Sequence, residues 1–102
     1  MKLTIESLKD KAAWEAANIA LPSYDVAEVV ERAKKDPVWV HFGIGNIFRI
    51  FLGGIADRLL NEEYMDKGIT CVESFDFDLV DKIYDPYDNL GISVILHNDG
   101  TV

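Results

Sequence analysis

The sequence Trp39-Val40-His41-Phe42-Gly43-Ile44-Gly45-Asn46-Ile47-Phe48-Arg49 decides the fold, because an apolar run ends there at two glycines and resumes with helical spacing. Residues 38–42 are too few for a helix and are apolar on both faces except for His41, which predicts a strand covered on both sides in a parallel sheet. A helix up to Asn61 is predicted by the spacing of Ile47, Ile50, Phe51, Gly54, Ile55, Arg58 and Leu59. A strand that passes through Gly-x-Gly into a helix gathers backbone amides where a pyrophosphate can bind.

A second predicted strand, a β-branched run over residues 69–72, ends at Glu73. A carboxylate in this position can accept both ribose hydroxyls of an adenosine and repels a 2′-phosphate, which favours NAD over NADP. Asp76 is the second choice for this role. The amides of residues 47–49 are expected to donate to the pyrophosphate. The predicted dinucleotide site comprises Gly43, Ile44, Gly45, Asn46, Ile47, Phe48, Arg49, Glu73 and Asp76.

Each of these assignments has a simpler structural alternative. A tight strand-to-helix turn with glycines occurs in any α/β protein, and Phe48 stands where the usual fingerprint has its third glycine. Glu73 as a solvated acid at a strand end, or Arg49 paired with a carboxylate instead of a phosphate, fits the same pattern. Asn46 either caps the helix or donates to the ligand.

The remaining chemically active side chains favour structural roles. His41 is interpreted as a core histidine rather than a catalytic base, Cys71 as a small core residue, and His97 as an exposed residue beside a turn. Tyr24, Trp14 and Trp39 are interpreted as packing residues. No calcium-loop, zinc, P-loop or nucleophile-elbow spacing occurs, so neither a metal site nor a catalytic residue is predicted in this chain.

The pattern outside the glycines predicts an α/β fold. One helix is expected from residue 4 to 18, with Ser7 and Asp10 as a capping box, and a second after Asp25, whose capping box includes Glu28. Asp76 or Asp78 would cap a further helix, whose apolar positions are Leu79, Val80, Ile83 and Tyr84. Close approach of the long helix to the sheet would account for Gly53-Gly54. A strand over 92–96 is expected to lead into a hairpin at His97-Asn98-Asp99-Gly100.

Together these elements predict the N-terminal part of a Rossmann-type domain, with parallel strands, crossover helices and a terminal hairpin, preceded by two helices. Residues 1–36 form a helical segment packing on the sheet, and residues 37–102 form the first part of the NAD-binding domain. At 102 residues the chain is too short for a complete doubly wound domain, and its hairpin lacks a second strand. A piece of a longer protein is therefore expected, and its open sheet edge would favour self-association.

The composition limits the partners that the chain can bind. Its formal charge of -8 argues against nucleic acid and anionic membrane surfaces, whereas a dinucleotide held by local amides is compatible with it. The single cysteine excludes an internal disulfide. Neither a leader nor a membrane span is apparent, so a cytoplasmic location is expected.

Two segments, Pro22-Ser23-Tyr24-Asp25 and residues 41–49, resemble the long-chain, zinc-independent mannitol dehydrogenase family, which includes mannitol 2-dehydrogenase, fructuronate (mannonate) reductase and tagaturonate reductase. Its pattern is Pro-x-Tyr-Asp followed by His-x-Gly-x-Gly-x-x-x-Arg, and it also lacks a glycine where Phe48 stands. Ile50-Phe51 departs from the Ala-His of mannitol dehydrogenases and is closer to the mannonate and fructuronate branch. Residues 87–100 resemble the family's next strand and hairpin.

The resemblance implies an NAD-dependent oxidoreductase that transfers a hydride between nicotinamide and the carbonyl of a ketose or keto-hexuronate. This chain would bind the coenzyme, and the family's catalytic lysine would lie beyond residue 102 in a helical domain, so the chain alone would be inactive. The small-molecule partners implied are a sugar substrate and the dinucleotide. The alternative is a complete, non-catalytic α/β module that binds a nucleotide or a protein.

Overall fold

The computed structural model describes residues 1–102 as a small α/β domain with two parallel strands and several helices. Its regular elements are α1 (Lys11–Ala16), α2 (Val26–Lys35), β1 (Val40–Phe42), α3 (Gly53–Asn61), β2 (Thr70–Val72) and α4 (Phe77–Leu79). A π-helical turn, Phe48–Leu52, leads into α3. A 3-10 turn precedes α1, and a π-helical and a 3-10 turn follow α4, over Glu6–Lys9, Val80–Tyr84 and Asp85–Tyr87.

The two strands form a parallel ladder, as the sequence predicts. Val40 pairs with Thr70 and Phe42 with Val72, and α3 lies between the strands in the chain as the crossover. The expectation that both faces of β1 are covered is wrong, because 48% of Val40 and 73% of Phe42 remain exposed. The sheet has only two strands, and much of the surface of these side chains is left uncovered.

The helix after the glycines forms, but the face predicted to be buried is displaced by one residue along the helix. Ile47, Ile50 and Phe51 are exposed, whereas the buried residues of this stretch are Phe48, Ala56 and Leu60. Each buried residue lies one position after a residue of the predicted face, namely Ile47, Ile55 and Leu59, so the offset is the same at the π-helical turn and in the helix that follows it.

Close approach to the sheet does not account for the two glycines of α3. A Cβ atom at Gly54 would have no neighbour within 4 Å, and one at Gly53 would meet only the Phe48 carbonyl oxygen at 3.5 Å. The proposed reason for these glycines is therefore wrong, and nothing in the packing replaces it.

The first predicted helix is divided in two. Thr4 and Ser7 form the capping box, in which each backbone N–H donates to the other side-chain oxygen at 3.2 and 3.1 Å. Asp10 instead caps α1 by accepting from the Ala13 N–H at 3.3 Å. The box predicted for Ser7 and Asp10 is therefore wrong. Trp14 of α1 is buried, with 2% of its surface exposed, and its Nε1 donates to the Ser7 carbonyl at 2.8 Å.

Helix α2 forms where the sequence predicts it, and two of its polar contacts are with the loop before β2. The Asp25 side chain accepts from the Glu28 N–H at 3.2 Å, and Val29 and Ala33 are buried on the inner face. Arg32 Nε donates to the Asp66 carbonyl at 2.7 Å. Lys67 forms an ion pair of 2.8 Å with Asp36 at the end of the helix.

The C-terminal part departs most from expectation. Residues 92–96 form no strand and are exposed, because they have no neighbouring strand with which to pair. The predicted turn is present: the Gly100 N–H donates to the His97 carbonyl at 3.0 Å, and Gly100 has a φ of +87°. The terminal hairpin is thus reduced to its bend, with His97 exposed as expected.

Candidate functional site

The loop between β1 and the following helix begins at the ladder itself. The Gly43 N–H donates to the Val72 carbonyl at 2.9 Å, which brings the ends of the two strands together. Gly43 has a φ of +99°, a conformation that side chains with a Cβ rarely adopt. Gly45 lies outside that region of φ, and a Cβ there would meet nothing within 4 Å. The turn therefore requires glycine at position 43 for its backbone conformation, whereas glycine at position 45 leaves open space beside the backbone.

The backbone amides of residues 45–48 are unengaged. None of them donates a hydrogen bond, as expected for the first turn of a helix. The Arg49 N–H, in contrast, donates to the Gly45 carbonyl at 3.1 Å, so the prediction that this amide faces a ligand is wrong. Anion binding at this helix start would therefore use the N–H groups of Asn46, Ile47 and Phe48.

Glu73 directly follows β2 and lies beside the glycine loop. Its Oε1 accepts the N–H groups of Asp76 at 3.0 Å and Phe75 at 3.2 Å. These two donors, together with the N–H of Ile44, hold the pKa of the Glu73 carboxyl below its usual value. The carboxylate is therefore ionised at neutral pH, and it retains lone pairs for further donors.

Asp76, the second choice for the ribose, is engaged elsewhere. Its Oδ1 accepts the Leu79 N–H at 3.2 Å, so it is the N-cap of α4. Of the two residues predicted to cap this helix, Asp76 is confirmed. Glu73 is the better placed of the two acids to meet a ligand at the ends of the strands.

Arg49 points its guanidinium at the loop. The group donates to the Asn46 side-chain oxygen and to the Ile44 carbonyl, the latter at 3.4 Å, and lies 5.8 Å from the centre of the Tyr84 ring. It forms no ion pair, so the alternative of a salt bridge to a carboxylate is wrong. Asn46 holds this side chain rather than capping the helix.

Tyr84 belongs to the site although the sequence assigned it only to the apolar face of a helix. Its hydroxyl donates to the Ile44 carbonyl at 2.7 Å, across 40 positions of the chain. Burial raises the pKa of this hydroxyl, which therefore stays protonated and able to donate. A tyrosine in a helical stripe gives no local sign of such a distant partner.

A shallow groove beside the loop is floored by an aromatic stack. The rings of His41 and Phe48 lie 4.6 Å apart and 15° from parallel. His41 stacks on Phe48 but lies partly exposed in the groove, so the prediction that it is a core histidine is wrong. Ile47 projects into solvent at the groove's edge, with 80% of its surface exposed. Cys71, predicted to be a core residue, is exposed, because the two-stranded sheet leaves that face uncovered.

The Pro22–Asp25 segment bonds to the second half of α3. The Tyr24 hydroxyl donates to Asp57 Oδ1 at 2.6 Å. Ser23 donates to the Asn61 side-chain oxygen through its N–H at 2.7 Å and its hydroxyl at 2.9 Å. The interpretation of Tyr24 as a packing residue alone is wrong, since its hydroxyl joins two elements that flank the site.

None of the chain's helices combines the length and apolar character needed to cross a membrane. No group of three or more His, Cys, Asp or Glu side chains is arranged to hold a metal ion.

Comparison with known proteins identifies one informative relative. The chain is 47% identical over 100 residues to D-mannonate oxidoreductase of Thermotoga maritima, a match that covers 98% of this chain and 19% of the relative. The chain thus spans about a fifth of the length of the curated relative it matches. No family model matches it, and no solved structure matches it significantly. Over nearly its whole length the chain is therefore similar to one part of a D-mannonate oxidoreductase, which is consistent with the resemblance to the long-chain mannitol dehydrogenase family that its motifs indicated.

Proposed function

We propose that this chain is the first part of a Rossmann-type coenzyme-binding domain in an NAD-dependent oxidoreductase acting on a hexuronate or polyol. The observation that carries the proposal is the convergence of the free amides of residues 46–48 and the ionised Glu73 at the carboxyl ends of two paired parallel strands. Open parallel sheets bind dinucleotides at this edge. The relative's activity as an oxidoreductase supports the same reaction class.

The pyrophosphate would lie against the start of the helix. Gly45 leaves space for the backbone to approach it, and three N–H groups are free to donate. The unpaired guanidinium of Arg49 supplies the positive charge that a diphosphate needs, and only local bonds to Asn46 and Ile44 compete for it. The chain's overall negative charge is no obstacle, because binding depends on these local groups.

Glu73 would accept the hydroxyls of the adenosine ribose. A carboxylate held in its charged form repels a 2′-phosphate, so we expect NADH to bind more tightly than NADPH. The relative is a D-mannonate oxidoreductase, which favours a hexuronate branch over mannitol for this chain. The stand-alone module that the sequence left open is not favoured by this relative. Catalytic groups, a sugar site and a helical second domain are proposed to lie outside residues 1–102.

The proposal is tested by titrating the natural full-length protein with NADH and with NADPH, followed by fluorescence. We expect a preference for NADH that Glu73→Lys abolishes or reverses, since lysine removes the ribose acceptor and attracts the 2′-phosphate. Asp78→Lys is the matched control, because it makes the same charge change at an exposed position away from the strand ends. An unchanged preference in Glu73→Lys would overturn the ribose role, and absence of binding by the wild type would overturn the function.

The reaction class is tested separately. The full-length protein should oxidise NADH in the presence of a keto-hexuronate or ketose and reduce NAD in the presence of the corresponding hexonate or polyol. Activity with a hexuronate pair but not with fructose and mannitol would support the mannonate branch. Binding of coenzyme without turnover of either class would contradict the proposed substrates and leave coenzyme binding standing.

A further inference from the structure

We infer that Tyr84 is a positioning residue for the coenzyme site, because its hydroxyl fixes the peptide between the two glycines. This inference rests on the proposed function of that loop. Tyr84 lies in the turn that follows α4, on a different element from every residue of the glycine loop. It would not contact the coenzyme's reacting atoms and would act only through Ile44.

The carbonyl group of Ile44 has two side-chain donors. It accepts from the Tyr84 hydroxyl at 2.7 Å and from Arg49 Nη1 at 3.4 Å. The side chain of Ile44 is buried, with 4% of its surface exposed, so the residue is anchored while the glycines on either side are exposed.

Of the two donors to the Ile44 carbonyl, Tyr84 makes the shorter contact. At 3.4 Å the Arg49 contact lies beyond the usual range for N–H···O bonds, whereas 2.7 Å is typical of O–H···O bonds. Because Gly43 and Gly45 restrict the backbone least of all residues, a loop built on them needs an external restraint to keep one conformation. Tyr84 supplies that restraint, and the free amides of residues 46–48 follow directly after it.

Tyr84 also contacts Arg49, through its ring. Its guanidinium lies over the Tyr84 ring, which leaves the cation beside the loop without a carboxylate partner. The ring therefore orients the cation while the hydroxyl orients the peptide. Replacing Tyr84 by phenylalanine separates these two effects, because it removes only the hydroxyl.

The test compares wild type, Tyr84→Phe and Tyr64→Phe in the natural full-length protein. Tyr64 is the matched control, since it is 76% exposed and its hydroxyl makes no hydrogen bond. Hydrogen exchange of a peptide spanning residues 40–48 is measured without coenzyme, and the Kd for NADH is measured by fluorescence. We expect faster exchange in this peptide and a rise of about three- to tenfold in Kd for Tyr84→Phe alone, the effect of one net hydrogen bond.

The outcomes separate this inference from the proposed function. Unchanged exchange over residues 40–48 overturns the restraint, whether or not NADH binds. Faster exchange with an unchanged Kd overturns the positioning role, because the loop would then be loosened without consequence for binding. Failure of the wild type to bind NADH overturns the proposed function and the positioning role with it. Equal effects of Tyr84→Phe and Tyr64→Phe would also overturn the inference.

Discussion

The hydroxyl of Tyr24 donates to Oδ1 of Asp57 at 2.6 Å and joins the segment before α2 to the middle of α3. We expect Tyr24→Phe to lower the free energy of unfolding by about 1 to 2 kcal/mol, because a hydrogen bond to a carboxylate is lost while the ring remains. Denaturant unfolding of the full-length protein measures this change. The exposed Tyr64→Phe should cost nothing measurable, and an equal loss in both variants would contradict the role of the bond.

The same bond predicts a loss of stability at alkaline pH. Burial, and then the hydrogen bond and charge of Asp57, raise the pKa of Tyr24 above its usual value. The folded state therefore keeps a proton that the unfolded chain releases, so the stabilisation is complete below the unfolded pKa of about 10 and is lost as pH rises above it. Unfolding measured from about pH 8 to about pH 11 should show a decline that is shallower in Tyr24→Phe. Parallel declines in the two proteins would contradict the assignment.

The two glycines of the loop should respond differently to alanine. Gly43→Ala places a Cβ on a residue with a φ of +99°, and we expect a cost of about 1 to 3 kcal/mol in folding stability. Gly45→Ala should leave stability within about 0.5 kcal/mol of wild type, because its Cβ has no neighbour within 4 Å.

A coenzyme titration distinguishes the role of the second glycine from that of the first. Gly45→Ala should weaken NADH binding, because the added methyl group occupies the space through which the pyrophosphate would approach the backbone. Unfolding curves and NADH titrations on the same samples provide both readouts. Normal binding by a stable Gly45→Ala protein would contradict the proposed pyrophosphate position.

Trp14 anchors the N-terminal segment. Trp14→Ala should destabilise the domain by about 3 to 5 kcal/mol, the usual cost of removing a large buried aromatic side chain. Trp14→Phe should cost less, because it retains most of the apolar contact and loses chiefly the 2.8 Å bond from Nε1 to the Ser7 carbonyl. Circular dichroism during thermal unfolding measures both. A tolerated Trp14→Ala would show that α1 is not needed for the fold.

The sequence predicted best what depends on neighbours in the chain. Asp25 and Asp76 cap their helices because an N-cap needs only an N–H group a few residues away. The parallel pairing of residues 40–42 with 70–72 was likewise predictable, since a strand-helix-strand unit has essentially one arrangement. The relation to a D-mannonate oxidoreductase followed from short motifs whose spacing is unusual.

What failed depends on distant contacts. Residues 92–96 have the composition of a strand but no partner, and pairing rather than propensity makes a strand. Tyr24 and Tyr84 looked like apolar packing, because their hydroxyl partners lie 33 and 40 positions away. The exposure of Val40 and Phe42 could not be inferred from their hydrophobicity. An apolar side chain favours burial, but whether it is buried depends on which other elements of the fold lie against it.

The π-helical turn at Phe48–Leu52 makes this helix tolerant of a change in length. Because that turn holds one residue more than an α-helical turn, deleting a single residue within it would restore continuous i to i+4 bonding. The glycine loop and the buried side of α3 would keep their mutual orientation. Homologous chains that differ by one residue in this turn can therefore present the same phosphate-facing amides, and an alignment gap placed there marks no structural break.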